Sequence, residues 1–245
     1  MNNNLFSIWS LKQMAYDKLR GQWLSMALIT FVFFLVYLLV ASVPFVGVIL
    51  QFAVLPLSFG FTYLVFLGVV RGEYVSVSTM FNAFNKFGRH FAAVFLPGFY
   101  ALMWAAPFIA VCILLVFLGQ HWNIFNSPLA LLLMVSYIGV FVMTAYKFLS
   151  YSMTGFIVVD EPETSVKDAI KKSQEMMDGH KFDLFKLNLS FMGWALLLPF
   201  TLFIGVFFLI PYIATTNAEF YCALSGKSES QIQTKSDNEI EDIIF

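Results

Sequence analysis

Long apolar stretches, with almost all charged residues confined to short segments between some of them, constrain this chain more than any motif. The stretches begin near Trp23, Val46, Phe91, Leu129 and Leu184. Each is at least as long as the roughly 20 apolar residues that an α-helix needs to cross a bilayer. The composition agrees, because 60% of the 245 residues are hydrophobic and only 12% are charged. A soluble domain usually carries about twice that charged fraction. We therefore expect an all-α polytopic membrane protein.

The positions of the cationic residues predict how the chain crosses the membrane. All lysines and arginines except Lys147 fall in four stretches, at residues 12–20, 71–89, 167–186 and 227–235. The intervening connections, around residues 43–46, 119–128 and 201–206, contain no charged residue. Lysine and arginine are enriched in cytoplasmic loops. The alternation therefore predicts that both termini are cytoplasmic and that the uncharged connections lie outside.

Six transmembrane helices fit this arrangement. The first four are predicted at residues 23–43, 46–70, 91–118 and 129–159. Residues 184–224 would form about 60 Å of straight helix, twice the hydrocarbon thickness, so we divide them near residues 199–205 into a fifth and a sixth span. The alternative for this last stretch is one span plus an interfacial helix.

Three amphipathic helices are predicted on the cytoplasmic membrane surface, one before each outward-going span. Their apolar residues recur at helical spacing. The three apolar faces are Ile8, Leu11, Met14, Ala15 and Leu19; Val77, Met80, Phe81, Phe84 and Phe87; and Val166, Ala169, Ile170, Ser173, Met176 and Met177. Each helix is followed by a glycine, at Gly21, Gly88 and Gly179, which we interpret as a break before the transmembrane hairpin.

The sequence therefore predicts one membrane domain, residues 1–225, with a three-fold internal repeat. The repeat units are residues 1–72, 73–160 and 161–225. Residues 226–245 are rich in Ser, Gln, Asn and acidic residues. Such a segment cannot bury enough apolar area to offset the cost of ordering, so we expect a disordered cytoplasmic tail.

Two charged residues lie inside otherwise uncharged runs and are the candidate site residues. Lys147 is in the fourth predicted span, and Glu219 is in the sixth, next to Asn217. Charged residues within membrane spans are costly, and they face partners or substrate pathways. Both residues are predicted near the cytoplasmic end of their spans, so we predict that they pair. The competing interpretation is that each side chain reaches the headgroups independently.

Other polar residues do not form a pattern typical of catalysis or metal binding. The histidines are scattered, and the sequence has no nucleophile elbow or phosphate-binding loop. Asp160, Glu161 and Glu163 are interpreted as favouring the positive N-terminus of the helix that follows. Cys112 and Cys222 are interpreted as packing thiols. We therefore expect no enzyme activity, no cofactor and no metal, and the net charge of −1 gives no reason to expect a nucleic-acid partner.

Several short motifs carry a family resemblance. They include Lys147-Phe-Leu-Ser-Tyr151, Val-Val-Asp160-Glu-Pro162, Asp183-Leu-Phe185, Pro211-Tyr212 and Ala218-Glu-Phe220-Tyr221, together with Gly21-Gln-Trp23 and Arg71-Gly72 near the N-terminus. Over about residues 10–225 the sequence resembles the bacterial integral-membrane family named domain of unknown function 975. The resemblance implies a multi-pass protein of the bacterial inner membrane, and it supplies no catalytic residue.

These observations favour a non-enzymatic function. The leading hypothesis is a membrane accessory protein that interacts with lipids, or with a partner membrane protein, and organises the membrane around it. The alternative is a small-solute transporter or channel with Lys147 and Glu219 near the pathway. A water-filled cavity reaching Lys147 would favour the transporter, and a solid phenylalanine-packed bundle would favour the accessory protein.

Overall fold

The computed structural model describes residues 7–43, 46–122 and 129–226, and these residues form helices and turns without a strand. The α-helices are α1 (Ile8–Leu19), α2 (Trp23–Ala41), α3 (Val46–Phe59), α4 (Phe66–Arg71), α5 (Val77–Phe81), α6 (Phe87–Trp122), α7 (Leu129–Tyr151), α8 (Thr154–Asp160), α9 (Val166–Met176), α10 (Lys181–Leu189), α11 (Met192–Ala195) and α12 (Val206–Leu224). A π-helical segment, Gly60–Val65, joins α3 to α4, and 3-10 turns occupy Asn82–Lys86 and Pro199–Thr201. The predicted tail beyond residue 226 lies outside the described residues.

Four helical stretches are long and apolar enough to cross a membrane. They are Trp23–Ala41, Leu50–Arg71, Val77–Phe117 and Leu131–Asp160. These stretches overlap the first four predicted spans, and they support the expectation of an all-helical membrane protein. The described residues contain four such candidates rather than the predicted six.

The last apolar stretch differs most from its prediction. The predicted fifth span is not one helix, because α10 ends at Leu189 and is followed by the four-residue α11 and the 3-10 turn. The chain then turns at Leu202 and Phe203, whose φ angles of 50° and 63° lie in the left-handed region. The predicted division near residues 199–205 therefore coincides with a real change of direction, although the helix before it is broken.

The predicted glycine breaks are found at two of the three positions. Gly21 and Gly179 have φ angles of 86° and 81°, which glycine adopts without a Cβ penalty, and they separate α1 from α2 and α9 from α10. Gly88 instead lies inside α6, and the helical backbone continues through it from the preceding 3-10 turn. The second unit therefore has no break before its long helix, and the three-fold repeat stays a prediction.

The predicted amphipathic faces are oriented differently in the three units. In α1, Leu11, Ala15 and Leu19 are buried, and in α9 the buried residues are Ala169, Ile170 and Ser173. The N-terminus of α9 is capped, since Ser165 Oγ accepts the Asp168 amide N–H at 3.2 Å. In the second unit Met80 of the predicted face is buried together with Ala83, whereas the phenylalanines of that face are exposed. The placement of these helices on a membrane surface stays a prediction.

The core lies where the π-helical segment, α4, α8, α12 and α1 meet. Phe59, Phe66 and Phe220 are among its fully buried side chains. Phe156 of α8 stacks on Tyr221 of α12, with 5.2 Å between ring centroids. By contrast, α6 and α7 pack along each other as a pair whose outward surface is apolar and exposed. The chain therefore combines a dense core with an extended helical pair.

Candidate functional site

Lys147 lies on α7 against the neighbouring long helix. Its Nζ is 4.0 Å from the centroid of the Trp104 ring on α6. Trp104 also forms a hydrogen bond with Tyr151, one turn further along α7. Tryptophan and tyrosine concentrate at the edges of the hydrocarbon region, where a lysine side chain can also reach the headgroups. Lys147 therefore contacts aromatic side chains of the long helical pair, and its depth in a membrane stays a prediction.

Glu219 lies on α12 and is only 3% exposed. Its Oε1 atom has no hydrogen-bond partner among the described residues, and neither has Oγ1 of Thr215, one turn earlier. Lys18 of α1 is close enough to act on the Glu219 carboxyl group electrostatically. A buried carboxyl group without hydrogen bonds is costly, which makes Glu219 an unusual core residue.

The structure does not bring these two residues together as an ion pair. Among the residues it describes, Lys147 faces Trp104, and the ion pairs present do not join Lys147 to Glu219. The sequence argument relied on equal depth in two helices, and equal depth does not make two helices neighbours. Functional roles for Lys147 and Glu219 stay predictions.

A buried charge cluster that the sequence interpretation missed lies at the ends of three helices. The Asp160 side chain is fully buried at the end of α8 and forms an ion pair with Arg71, the last residue of α4. Tyr221 of α12 donates its hydroxyl hydrogen to Asp160 Oδ2 at 2.5 Å. Charge-assisted hydrogen bonds of this kind are among the strongest in proteins. The cluster therefore ties α4, α8 and α12 together.

A second set of polar contacts surrounds the same helix end. The Arg89 guanidinium donates to the carbonyl oxygens of Val158 and Glu161 at 3.2 and 2.8 Å. The last carbonyl groups of a helix lack partners within the helix, so Arg89 satisfies acceptors that would otherwise be orphaned. The Glu161 carboxylate pairs with Lys172 of α9 and accepts a hydrogen bond from Thr164 at 3.0 Å.

The interpretation of Asp160 as a partner of the following helix N-terminus therefore needs correction, whereas that of Glu161 and Glu163 stays a prediction. Ser165 and Asp168 cap that helix, whereas Asp160 faces Arg71 and Tyr221. One sequence signal was present, because all three residues of the cluster occur in the short motifs that carry the family resemblance. Only the fold brings those separated motifs into contact.

Two large cavities open on the surface of the described structure. The first, of about 570 Å³, lies between the start of α2 and the segment from α11 to α12, and its lining includes Trp23, Trp194, Leu198 and Tyr212. It adjoins a smaller cavity lined by Trp9, Lys12, Gln13 and Asp17, with which it shares Tyr16, Trp194 and Tyr212. Together they form a groove that is polar at one end and apolar at the other.

The second cavity, of about 460 Å³, lies between the π-helical segment, α7, α10 and α12. Its polar lining includes Asn188 and Asn217, whose side-chain amides exchange hydrogen bonds of 3.3 and 3.4 Å. Neither Lys147 nor Glu219 lines either large cavity. The described residues contain no group of three or more His, Cys, Asp or Glu side chains placed to hold a metal ion. The cavities are therefore suited to apolar or amphipathic molecules.

Comparisons with known proteins place the chain in a family without supplying an activity. No curated protein and no solved structure matches the sequence. One family model, described as "Protein of unknown function (DUF975)", matches residues 7–228, which is most of the chain. The chain therefore belongs to the DUF975 family.

Proposed function

We propose that this protein is a non-enzymatic accessory protein of the bacterial inner membrane, which organises lipids around itself or around a partner membrane protein. The observation that carries this proposal is the position of the two large cavities. Both have mostly apolar linings, and packed side chains form the core beside them.

The packed centre supports an interaction role over a transport role. A solute pathway needs a space lined by groups that bind the solute weakly and repeatedly. Here the centre holds Phe59, Phe66 and Phe220, each less than 2% exposed. Side chains packed this closely transmit strain and leave little room for water.

The outward surface supports lipid contact. Leu131 and Phe141 of α7 are 66% and 74% exposed, and Ile113 of α6 is 65% exposed. Soluble monomers rarely expose apolar patches of this extent, whereas acyl chains solvate them without cost. A ladder of stacked rings also follows the start of the long helix, with centroids 5.4 to 6.4 Å apart, formed by Phe81, Phe84, Phe87, Phe91, Phe95 and Phe99.

The topology that we propose has both termini in the cytoplasm. Reporters fused after Arg89, Lys181 and Lys227 should report the cytoplasm, and one inserted near Asn123 should report the outside. The charge asymmetry of the connections is the reason for this expectation. A cytoplasmic signal at Asn123 would contradict the topology.

The accessory role is tested by isolating the protein with its surrounding bilayer in lipid-polymer particles and identifying the lipids and proteins that copurify. We expect enrichment of particular lipids, or of one membrane protein, relative to particles that hold an unrelated protein of similar span number. As a functional control, the protein is reconstituted in vesicles and assayed for ion and solute flux. A lipid profile identical to the bulk membrane, together with robust flux, would contradict the proposal.

Glu219 favours one alternative, a proton- or cation-coupled transporter. Its Oε1 atom is buried without a hydrogen-bond partner among the described residues, and such a carboxyl group can bind a proton or a cation. If this alternative is correct, Glu219→Gln should abolish flux in vesicles. Lys172→Gln, which removes a surface charge, should leave the flux unchanged.

A further inference from the structure

We propose that residues 192–212 form a re-entrant hairpin, which enters the bilayer from the cytoplasmic side, reaches its middle and returns to the same side. The apolar tip would then bind acyl chains at the centre of the bilayer. This inference deepens the proposed function and rests on it, because it names the lipid surface that the protein contacts.

The two arms of this segment lie side by side and run in opposite directions. Asn188 pairs with Asn217, and further along the first arm Phe191 contacts Tyr212, with 5.2 Å between ring centroids. Leu198 and Gly205 then approach each other beside the large groove, where a Cβ atom on Gly205 would lie 3.2 Å from Leu198 Cδ2. The contacts therefore pair residues of increasing number in the first arm with residues of decreasing number in the second, as in an antiparallel hairpin.

The depth of the hairpin can be measured against α2, which is long enough to cross the membrane. At the base, Trp23 of α2 contacts Tyr212, with 6.1 Å between ring centroids. Near the tip, Phe31 and Phe34 of α2 contact Phe207 at 5.7 and 6.2 Å. Phe34 lies about 16 Å along α2 from Trp23, at a rise of about 1.5 Å per residue.

The turn lies roughly one helical turn beyond Phe207, so the tip is about 20 Å from the level of Trp23. A bilayer is about 40–45 Å thick when its headgroup regions are included. If Trp23 lies at the headgroup level, the tip therefore reaches the middle of the bilayer. The α2 helix continues past the level of the tip to Ala41.

The backbone of the turn is suited to a hydrocarbon environment. Every amide N–H from Phe200 to Leu209 donates a hydrogen bond to an oxygen within the hairpin. Thr201 completes the set, because its Oγ accepts the Gly205 N–H at 3.2 Å while its hydroxyl donates to the Leu198 carbonyl oxygen at 2.9 Å. A turn in water needs no such closure, whereas unsatisfied backbone groups in lipid cost several kcal/mol each.

The side chains of the tip and base have the polarity that this placement requires. Phe200 and Leu202 are 85% and 81% exposed at the tip, and their neighbours Phe203 and Ile204 are also exposed. At the base, Lys12 Nζ lies 4.0 Å from the Phe191 ring centroid and donates to the Ser190 carbonyl oxygen at 3.2 Å.

The remaining side chains at the base match the boundary of a membrane. Trp23, Trp194 and Tyr212 surround the base, and tryptophan and tyrosine concentrate at this boundary. Partial burial lowers the pKa of Lys12, and nearby anionic headgroups would favour its charged form. Asp17 also lines the polar end of the groove, so the base carries both signs of charge.

Cysteine labelling distinguishes this hairpin from two complete spans. In full-length protein with Cys112→Ala and Cys222→Ala, single cysteines are introduced as Leu202→Cys or Phe203→Cys. Asn123→Cys and Lys181→Cys serve as controls for the two sides of the membrane. A membrane-impermeant maleimide is then applied to cells with a permeabilised outer membrane and, separately, to inverted vesicles.

We expect the cysteines at positions 202 and 203 to remain unlabelled from either side of the intact membrane. They should react only after the membrane is dissolved in detergent. Labelling from outside, as at Asn123, would establish two complete spans and overturn the inference. Labelling from inside would show that the tip is exposed to water on the cytoplasmic side. That result would also overturn the inference. Failure of the two controls to label from opposite sides would instead contradict the topology of the whole chain and, with it, the proposed function.

A second measurement avoids dependence on cysteine variants that fail to fold. Phe203→Trp, in a background where the other tryptophans are replaced by phenylalanine, is compared with a variant that retains only Trp194. Both are reconstituted in vesicles of phosphatidylcholine brominated either near the carbonyl end or near the methyl end of the acyl chain. Bromine near the methyl end should quench position 203 more strongly, and bromine near the carbonyl end should quench Trp194 more strongly. The same depth at both positions, or shielding of position 203 from all brominated lipid by a covering protein segment, would refute the re-entrant hairpin.

Discussion

Replacement of the buried carboxylate of Asp160 should produce one of the largest losses of stability available to a single conservative substitution in this protein. The carboxylate joins Arg71 at the end of α4 to Tyr221 of α12, and its side chain is fully buried. Asp160→Asn keeps the shape and one acceptor for the tyrosine hydroxyl. It removes the charge that neutralises the Arg71 guanidinium.

The magnitude follows from the burial of the two partners. Removing one partner of a buried ion pair costs about 3–5 kcal/mol, because the other charge remains buried without compensation. The Arg71 side chain is 32% exposed, so water can recover part of its hydration. We therefore expect a loss near the lower end, about 3 kcal/mol. For a chain of this size that corresponds to a fall in Tm of roughly 6–12 °C.

A thiol-reactive fluorescent maleimide gives a local readout in detergent, since Cys222 is buried beside Tyr221 at 4% exposure. The assay uses a Cys112→Ala background and the same heating rate for every variant, because an apparent Tm can depend on the heating rate. A double-mutant cycle with Arg71→Gln isolates the pairwise energy. Glu175→Gln, an exposed carboxylate on α9, is the matched control and should change stability by less than about 0.5 kcal/mol. Additive losses in the cycle, or an Asp160→Asn shift as small as the control shift, would refute the reasoning.

Three further predictions use the same thermal assay. Gly155→Ala should cost about 1–3 kcal/mol, because the new Cβ would lie 2.3 Å from atoms of the Tyr63 ring; an unchanged Tm would show that the ring moves freely. Gly179→Ala should destabilise the protein by about 0.5–1 kcal/mol, because Gly179 has a left-handed φ. Gly88→Ala should stabilise it by a similar amount, because Gly88 is helical, and neither position is sterically crowded. Shifts of the same sign would contradict the assigned conformations. Lys147→Met should cost only about 0.5–1 kcal/mol, the value of an exposed cation–π contact, and a loss above about 3 kcal/mol would indicate a buried ionic role instead.

The four candidate membrane-spanning helices could be predicted from the sequence because lipid imposes a simple rule on composition. A helix that crosses hydrocarbon must be apolar over its whole length, so its position can be found without knowing its neighbours. The candidate spans Trp23–Ala41 and Leu131–Asp160 lie within a few residues of their predicted limits. Family membership was also accessible, because it rests on short motifs such as the one that contains Asp160.

Contacts between distant segments could not be predicted in the same way. The suggested Lys147–Glu219 pair required the two residues to lie at the same depth in the membrane. It also required the predicted fourth and sixth spans to be neighbours. The cluster of Arg71, Asp160 and Tyr221 needs three chain segments to converge, and composition carries no record of that convergence. The break in the predicted fifth span could not be predicted for a related reason. An apolar composition fits a continuous helix and a broken one equally well.

A re-entrant hairpin also accounts for the unusual environment of Glu219. The α1 helix runs beside α12 in the same direction, because Tyr212 donates its hydroxyl hydrogen to the Lys12 carbonyl oxygen, while Lys18 lies near Glu219. If Tyr212 marks the membrane boundary, then the second half of α12 extends away from the hydrocarbon together with the charged α1. Glu219 would then lie in the protein core on the cytoplasmic side, where its burial is a cost of packing and not of membrane insertion. In that position it is far from any path through the bilayer, which strengthens the accessory role over the transporter.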